Sequence, residues 1–145
     1  MTKARVVSLD KLGSADVIKL IDKELPPPAK GEVQLRQTAI GFNFIDVYQR
    51  SGVYPLDLPT GLGHEAVGVV EALGEGVTGL KVGDRVMYMN AGIGAYASAR
   101  NVAADKVVPV PGRANFGGLG KSIGCFCGWY SRFASKSGGS KSCWL

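Results

Sequence analysis

At Pro111 the chain changes character, and only the part before it carries the patterning of a fold. Over residues 1–110, twelve Lys and Arg are offset by twelve Asp and Glu. The 34 residues after Pro111 carry Arg113, Lys121, Arg132, Lys136 and Lys141 and no acid, so the whole formal charge of +5 belongs to them. They also hold all three cysteines (Cys125, Cys127, Cys143) and both tryptophans (Trp129, Trp144), together with eight glycines and six serines. Without an apolar period, residues 112–145 read as an atypical Gly/Ser/Lys-rich tail that is expected to be poorly ordered. Residues 1–111 are long enough for one compact domain, since domains of ~50–200 residues bury a usable core.

A neutral domain has no electrostatic footprint for nucleic acid or an acidic membrane, and the tail's cations are scattered. Neither partner is expected. No apolar run approaches the ~18 residues of a membrane helix, and the N-terminus MTKARVVSLDK lacks the apolar stretch of a secretory signal. The expected location is the cytoplasm. Residues 1–111 contain no cysteine, which fits that compartment, and the three tail cysteines are expected to be plain thiols.

Within the domain, residues 4–9 and 17–21 are short apolar-rich runs separated by the turn-like Lys11-Leu12-Gly13-Ser14, which predicts two early strands. Pro26-Pro27-Pro28 stops any regular element. From Gly31 the pattern alternates, with Val33 and Leu35 facing one way and Glu32, Gln34 and Arg36 the other, as in a half-buried strand. In Asn43-Phe44-Ile45-Asp46-Val47-Tyr48-Gln49-Arg50, the residues Phe44, Val47 and Tyr48 recur at helical spacing. A short helix is predicted, with Asn43 near its N-cap and Ser51-Gly52 closing it. Ala66-Val67-Gly68-Val69-Val70 is apolar throughout, which argues for a central, well-covered strand. Gly83-Asp84 suits a hairpin-like connection, and further short strands are predicted in residues 86–89, 95–99 and 107–110. Many short strands, frequent glycines and a single short helix predict a mainly β, barrel-like domain.

The stretch AIGFNFIDVYQRSGVYPLDLPTGLGHEAVGVVEALGEGVTGLKVGDRVMYMNAGIGAYASARNVAADKVVPVP, residues 39–111, resembles the N-terminal GroES-like domain of the medium-chain dehydrogenase/reductase superfamily. Within it, NFIDVYQRSGVYP followed by LPTGLGHEAVG is most similar to the zinc-independent NADPH:quinone reductases of the zeta-crystallin type. The resemblance implies a GroES-like, partly open barrel of short strands with one or two short helices. It also implies hydride transfer from NADPH to a quinone or related enone, in a cleft between this domain and a following Rossmann domain. The residues matching the family's cofactor-facing segment are Asn43, Phe44, Ile45, Asp46, Val47 and Tyr48. Tyr48 and Tyr54 are the catalytic candidates, because reducing a quinone by hydride needs orientation and stabilisation of a developing oxyanion more than a strong base.

Zinc-dependent relatives carry a histidine and an acid where His64-Glu65 stands, and a cysteine where Asn43 stands. A catalytic zinc needs about three protein ligands, whereas residues 1–111 offer one histidine and no cysteine. No metal is expected. Glu65 is instead expected to make a structural hydrogen bond beneath the cleft, with His64 packing beside it.

Asn115-Phe116-Gly117-Gly118-Leu119-Gly120-Lys121-Ser122 nearly spells a phosphate-binding loop. Its leading position is Asn rather than Gly, and it lacks a buried strand running into it. After Pro111 the family continues toward a Rossmann domain, which is absent from this sequence. The chain alone is therefore expected to bind NADPH weakly, to lack appreciable quinone reductase activity, and to self-associate through exposed apolar cleft surface. The tail reads as foreign sequence, as a frame shift or altered splice would produce. The competing expectation is a non-enzymatic structural or binding protein built on the same domain.

Overall fold

The computed structural model describes residues 1–110. The expectations for the tail, including its order, its three thiols and the near-match to a phosphate loop, fall outside the described residues.

The domain is mainly β, as predicted, and its strands pair only antiparallel. Strands β1 (Thr2–Ser8) and β2 (Lys19–Leu25) form a two-stranded ribbon, with Val6 opposite Ile21. A five-stranded sheet follows, built from β3 (Glu32–Ile40), β4 (Glu65–Leu73), β5 (Arg85–Met89), β6 (Ala99–Ala103) and β7 (Val107–Pro109). Its spatial order is β6-β3-β4-β5-β7. The single α-helix among the described residues, α1 (Phe44–Ser51), lies between β3 and β4 in sequence.

β4 is the central strand that its apolar run predicts. Its two faces differ, because Ala66, Gly68 and Val70 are buried while Val67 and Val69 are only partly covered. Val33 and Leu35 of β3 are fully buried and pack with Val70, Val86 and Tyr88 into the main core. Gln34, on the opposite face of β3, is buried as well, against the expected solvent exposure. It accepts from the Thr2 hydroxyl at 2.6 Å and donates to Pro26 O and Asn101 Oδ1, so its burial leaves no polar group stranded.

Two predicted strands shift. The run at residues 17–21 opens with Val17 in a single 3₁₀ turn, Ala15–Val17, and the strand proper is the largely exposed KLIDKEL segment, whose polar residues hid it. Residues 95–99 are mostly loop, and the strand begins at Ala99. The segment nevertheless lies inside the protein, since its alanines are small and its backbone is satisfied without a long ladder. Tyr96 N–H donates to Leu62 O at 2.9 Å and Tyr96 O accepts from Val7 N–H at 2.8 Å. Gln37 Nε2 spans the same loop, donating to Ala95 O at 2.9 Å and Ala97 O at 2.6 Å.

The sheet delivers two chain ends to one place. Where β3 runs out, Gly41 N–H donates to Glu65 O at 3.1 Å, at the start of β4. A Cβ on Gly41 would stand 2.1 Å from Glu65 Oε1, so the Glu65 carboxylate lies directly over a backbone that has no side chain. The chain turns into α1 immediately afterwards.

Candidate functional site

Helix α1 begins where the sequence predicts, with Asn43 as N-cap in extended conformation. The Asn43 N–H donates to Asp46 Oδ2 at 2.9 Å, and the Asp46 N–H returns a bond to Asn43 O at 3.0 Å. Such a reciprocal closure satisfies donors that a helix start otherwise leaves open. The Asn43 side-chain amide reaches away from the helix and donates to Glu65 Oε1 at 3.0 Å. Gly52 ends the helix in the left-handed conformation.

The helix sits with its polar side inward. Asp46 and Gln49 are 2% and 6% exposed, whereas Phe44 is 77% exposed and Ile45 and Tyr48 are about half that. The face marked by Phe44 and Tyr48 therefore looks out of the domain. Tyr54 adds its ring to that face through Tyr48, and Phe42 and Val53 in the flanking segments are also exposed. A polar inner face is tolerable only where its buried groups find partners, and both Gln49 and one oxygen of Asp46 do. His64 Nε2 donates to Gln49 Oε1 at 2.9 Å, and Tyr96 Oη donates to Asp46 Oδ2 at 2.8 Å. Burial pushes the Tyr96 phenol far above its ordinary value, and the facing Asp46 carboxylate pushes it further, so Tyr96 remains a neutral donor.

The two catalytic candidates meet on the outer surface. The rings of Tyr48 and Tyr54 contact edge to face, with centroids 5.7 Å apart and planes at 89°. Tyr54 N–H donates to Tyr48 O at 3.2 Å, which folds the chain after α1 back over the helix. Of the six residues predicted to face a cofactor, Phe44, Ile45 and Tyr48 are exposed, Asn43 and Val47 are partly covered, and Asp46 is buried.

The residues standing where zinc relatives have ligands are engaged with protein. Asn43 Nδ2 is bonded to Glu65 and His64 Nε2 to Gln49, so Glu65 makes the structural hydrogen bond expected of it. Among the described residues no three His, Cys, Asp or Glu side chains are grouped to hold a metal ion. No helix among them is long and apolar enough to cross a membrane.

Tyr96, Gln49 and Gly63 belong to this arrangement and were not anticipated. Gly63 has φ +87°, and a Cβ there would lie 2.4 Å from Tyr96 Cδ1. The only signal in the sequence is that Tyr96 is the single bulky residue in Ala91-Gly92-Ile93-Gly94-Ala95-Tyr96-Ala97-Ser98 besides Ile93.

The sequence profile of the alcohol dehydrogenase GroES-like domain matches residues 29–112. Quinone oxidoreductase 1 of Escherichia coli (strain K12) is 43% identical over 111 residues, covering 76% of this chain and 34% of that protein. The quinone oxidoreductase of Salmonella typhimurium is 45% identical over 111 residues with the same coverage of each, 76% and 34%. The solved structure of the Escherichia coli quinone oxidoreductase complexed with NADPH aligns with a TM-score of 0.74 at 42% identity, over 77% of this chain and 35% of that one. The chain thus spans 34% of the length of these curated relatives.

Proposed function

Because this chain belongs to the alcohol dehydrogenase GroES-like domain family, on the zinc-independent quinone oxidoreductase side of the medium-chain dehydrogenase/reductase superfamily, we propose that its outward face of α1 is the substrate side of an NADPH-dependent quinone reduction site. The observation that carries this reading is the Tyr48–Tyr54 pair, held edge to face beside the exposed Phe44. Two phenols at the rim of an apolar surface suit a flat, apolar molecule whose polar atoms are carbonyl oxygens.

The residues present fit the cofactor named by the family. The first turn of α1 offers backbone N–H groups and a partial positive charge, and Phe44, Ile45 and Tyr48 are exposed beside it. When bound, NADPH supplies the hydride. The chain's own residues do the rest. Asn43 fixes the helix start, Phe44 and Ile45 exclude water, and the hydroxyls of Tyr48 and Tyr54 donate to the quinone oxygen on which negative charge develops. Neither tyrosine needs to lose its proton to act in this way.

In this reading the 145 residues on their own hold NADPH weakly and turn over little, because the described residues include no glycine-rich turn at a helix start to receive the pyrophosphate. A chimera tests the proposed activity: residues 1–111 replace the matching segment of the Escherichia coli enzyme. NADPH oxidation in the presence of a simple quinone is the expected result. A folded chimera that binds NADPH and reduces no quinone would contradict the proposal.

A further inference from the structure

We propose that Tyr96 and Asp46 are positioning residues for the start of α1: a phenol fixed to the sheet holds the carboxylate that in turn holds the helix N-cap. The proposal rests on the reading that this helix start faces the cofactor, but it changes the part played by Asp46. A side chain 2% exposed, with one oxygen already accepting from both Asn43 N–H and Tyr96 Oη, is not available to a ligand. It is placed to transmit position. Its other oxygen, Oδ1, is buried with no hydrogen-bond partner among the described residues. Leaving one carboxylate oxygen stranded is costly, and the two bonds to the other oxygen are what offset that cost.

Tyr96 is itself anchored from several sides. Its backbone joins Leu62 and Val7, and its ring lies against Gly63, where no Cβ intervenes. The loop carrying it is held at one end by Arg100, whose Nη1 and Nη2 donate to Gly92 O at 3.1 Å and Ala91 O at 2.7 Å. At the other end Gln37 Nε2 takes Ala95 O and Ala97 O. The Gln37 carbonyl in turn accepts from the Tyr88 hydroxyl, and the Arg100 guanidinium stacks on the Tyr88 ring at 5.5 Å. The hydroxyl of Tyr96 is thus a fixed point of the sheet. Through Asp46 it sets the Asn43 backbone, while the Asn43 side chain is set separately by Glu65 of β4. With the N-cap fixed twice, the first-turn N–H groups and the outward Phe44–Tyr48 face have one orientation.

The test uses the full ¹⁵N-labelled chain and three variants: Tyr96→Phe, Asp46→Ala and Asp46→Asn. Amide hydrogen exchange is followed at Asn43 and, as a sheet reference, at Val70, whose N–H donates to Asp84 O. Tyr96→Phe and Asp46→Ala are expected to speed exchange at Asn43 roughly tenfold, about what one net hydrogen bond contributes, while Val70 changes much less. Asp46→Asn is expected to restore slow exchange at Asn43. Its carboxamide oxygen accepts both bonds, and its NH₂ falls where Oδ1 had no partner. Unchanged Asn43 exchange in Tyr96→Phe would overturn the proposal, as would Asp46→Asn behaving like Asp46→Ala. Equal acceleration at Asn43 and Val70 would overturn it too, by revealing a loss of bulk stability only. If Asp46→Ala does not fold, Tyr96→Phe against Asp46→Asn carries the comparison. Adding NADPH to the wild-type chain separates the two ideas, since missing shifts at α1 contradict the cofactor reading and leave the ligand-free exchange result to judge the positioning residues.

Discussion

Tyr48 and Tyr54 face each other edge on, 5.7 Å between ring centroids, and the backbone bond from Tyr54 N–H to Tyr48 O makes that contact a property of the turn after α1. In the chimeric enzyme, Tyr48→Phe and Tyr54→Phe each keep the ring contact and remove one hydroxyl. Each is expected to lower kcat by roughly 10–10²-fold with little change in KM for NADPH, somewhat less than a dedicated oxyanion donor because both rings are half exposed. Steady-state kinetics check this. A change confined to KM would assign the hydroxyls to binding alone.

Gly63 and Gly79 share a positive φ, +87° and +79°, but only Gly63 is crowded, its missing Cβ lying 2.4 Å from the Tyr96 ring. Gly79→Ala is expected to cost about 1 kcal/mol through backbone strain alone. Gly63→Ala adds a collision with a ring pinned on several sides and is expected to cost at least ~3 kcal/mol. Urea unfolding of both variants measures the difference. Equal losses would mean that Tyr96 yields freely.

Stability is expected to fall in alkali. Burial raises the phenols of Tyr96 and Tyr88, the first assisted by the Asp46 carboxylate and the second opposed by Arg100. Above about pH 10 an unfolded chain releases phenolic protons that these two keep when folded, so the unfolded state binds fewer protons and unfolding becomes more favourable as pH rises. Their contribution is therefore whole below about pH 10 and declines above it. Tyr96→Phe is expected to flatten the decline, as read from unfolding midpoints between about pH 9 and 11. An unchanged slope would mean that Tyr96 titrates alike in both states.

The outward aromatic surface at Phe44, Val53 and Tyr54, with exposures of 77%, 64% and 52%, is expected to drive self-association. Light scattering of the full chain and of residues 1–111 is expected to show species larger than a monomer in both, and Phe44→Ser is expected to reduce them. A monodisperse monomer in both would exclude this surface as a self-association site.

The sequence exposed the elements whose apolar residues repeat at a regular period. Val33 and Leu35 announced β3, the run at residues 66–70 announced the central strand, and Asn43 announced the helix start. The orientation of α1 was not legible, because Phe44, Val47 and Tyr48 have the spacing of a buried face while partners for Asp46 and Gln49 arrive from residues 50 and 15 positions away, Tyr96 and His64. Nor was the role of residues 95–97. Alternating small residues look like a strand, and only the bonds from Gln37, Leu62 and Val7 reveal a packed loop. Tertiary hydrogen bonds of this kind leave no local period to read. Family resemblance singled out Tyr48 and Tyr54 as candidates, whereas neither their edge-to-face contact nor the Tyr96–Asp46 bond was legible.

The most direct measurement is a titration of the ¹⁵N-labelled 145-residue chain with NADPH, followed by amide chemical shifts. The expected result is weak binding, with shifts concentrated at Asn43, Phe44, Ile45 and Tyr48. Shifts centred instead on the basic ribbon residues Lys3, Arg5 and Lys23, or none at all at millimolar NADPH, would contradict the assignment of α1 as the cofactor-facing edge of the domain.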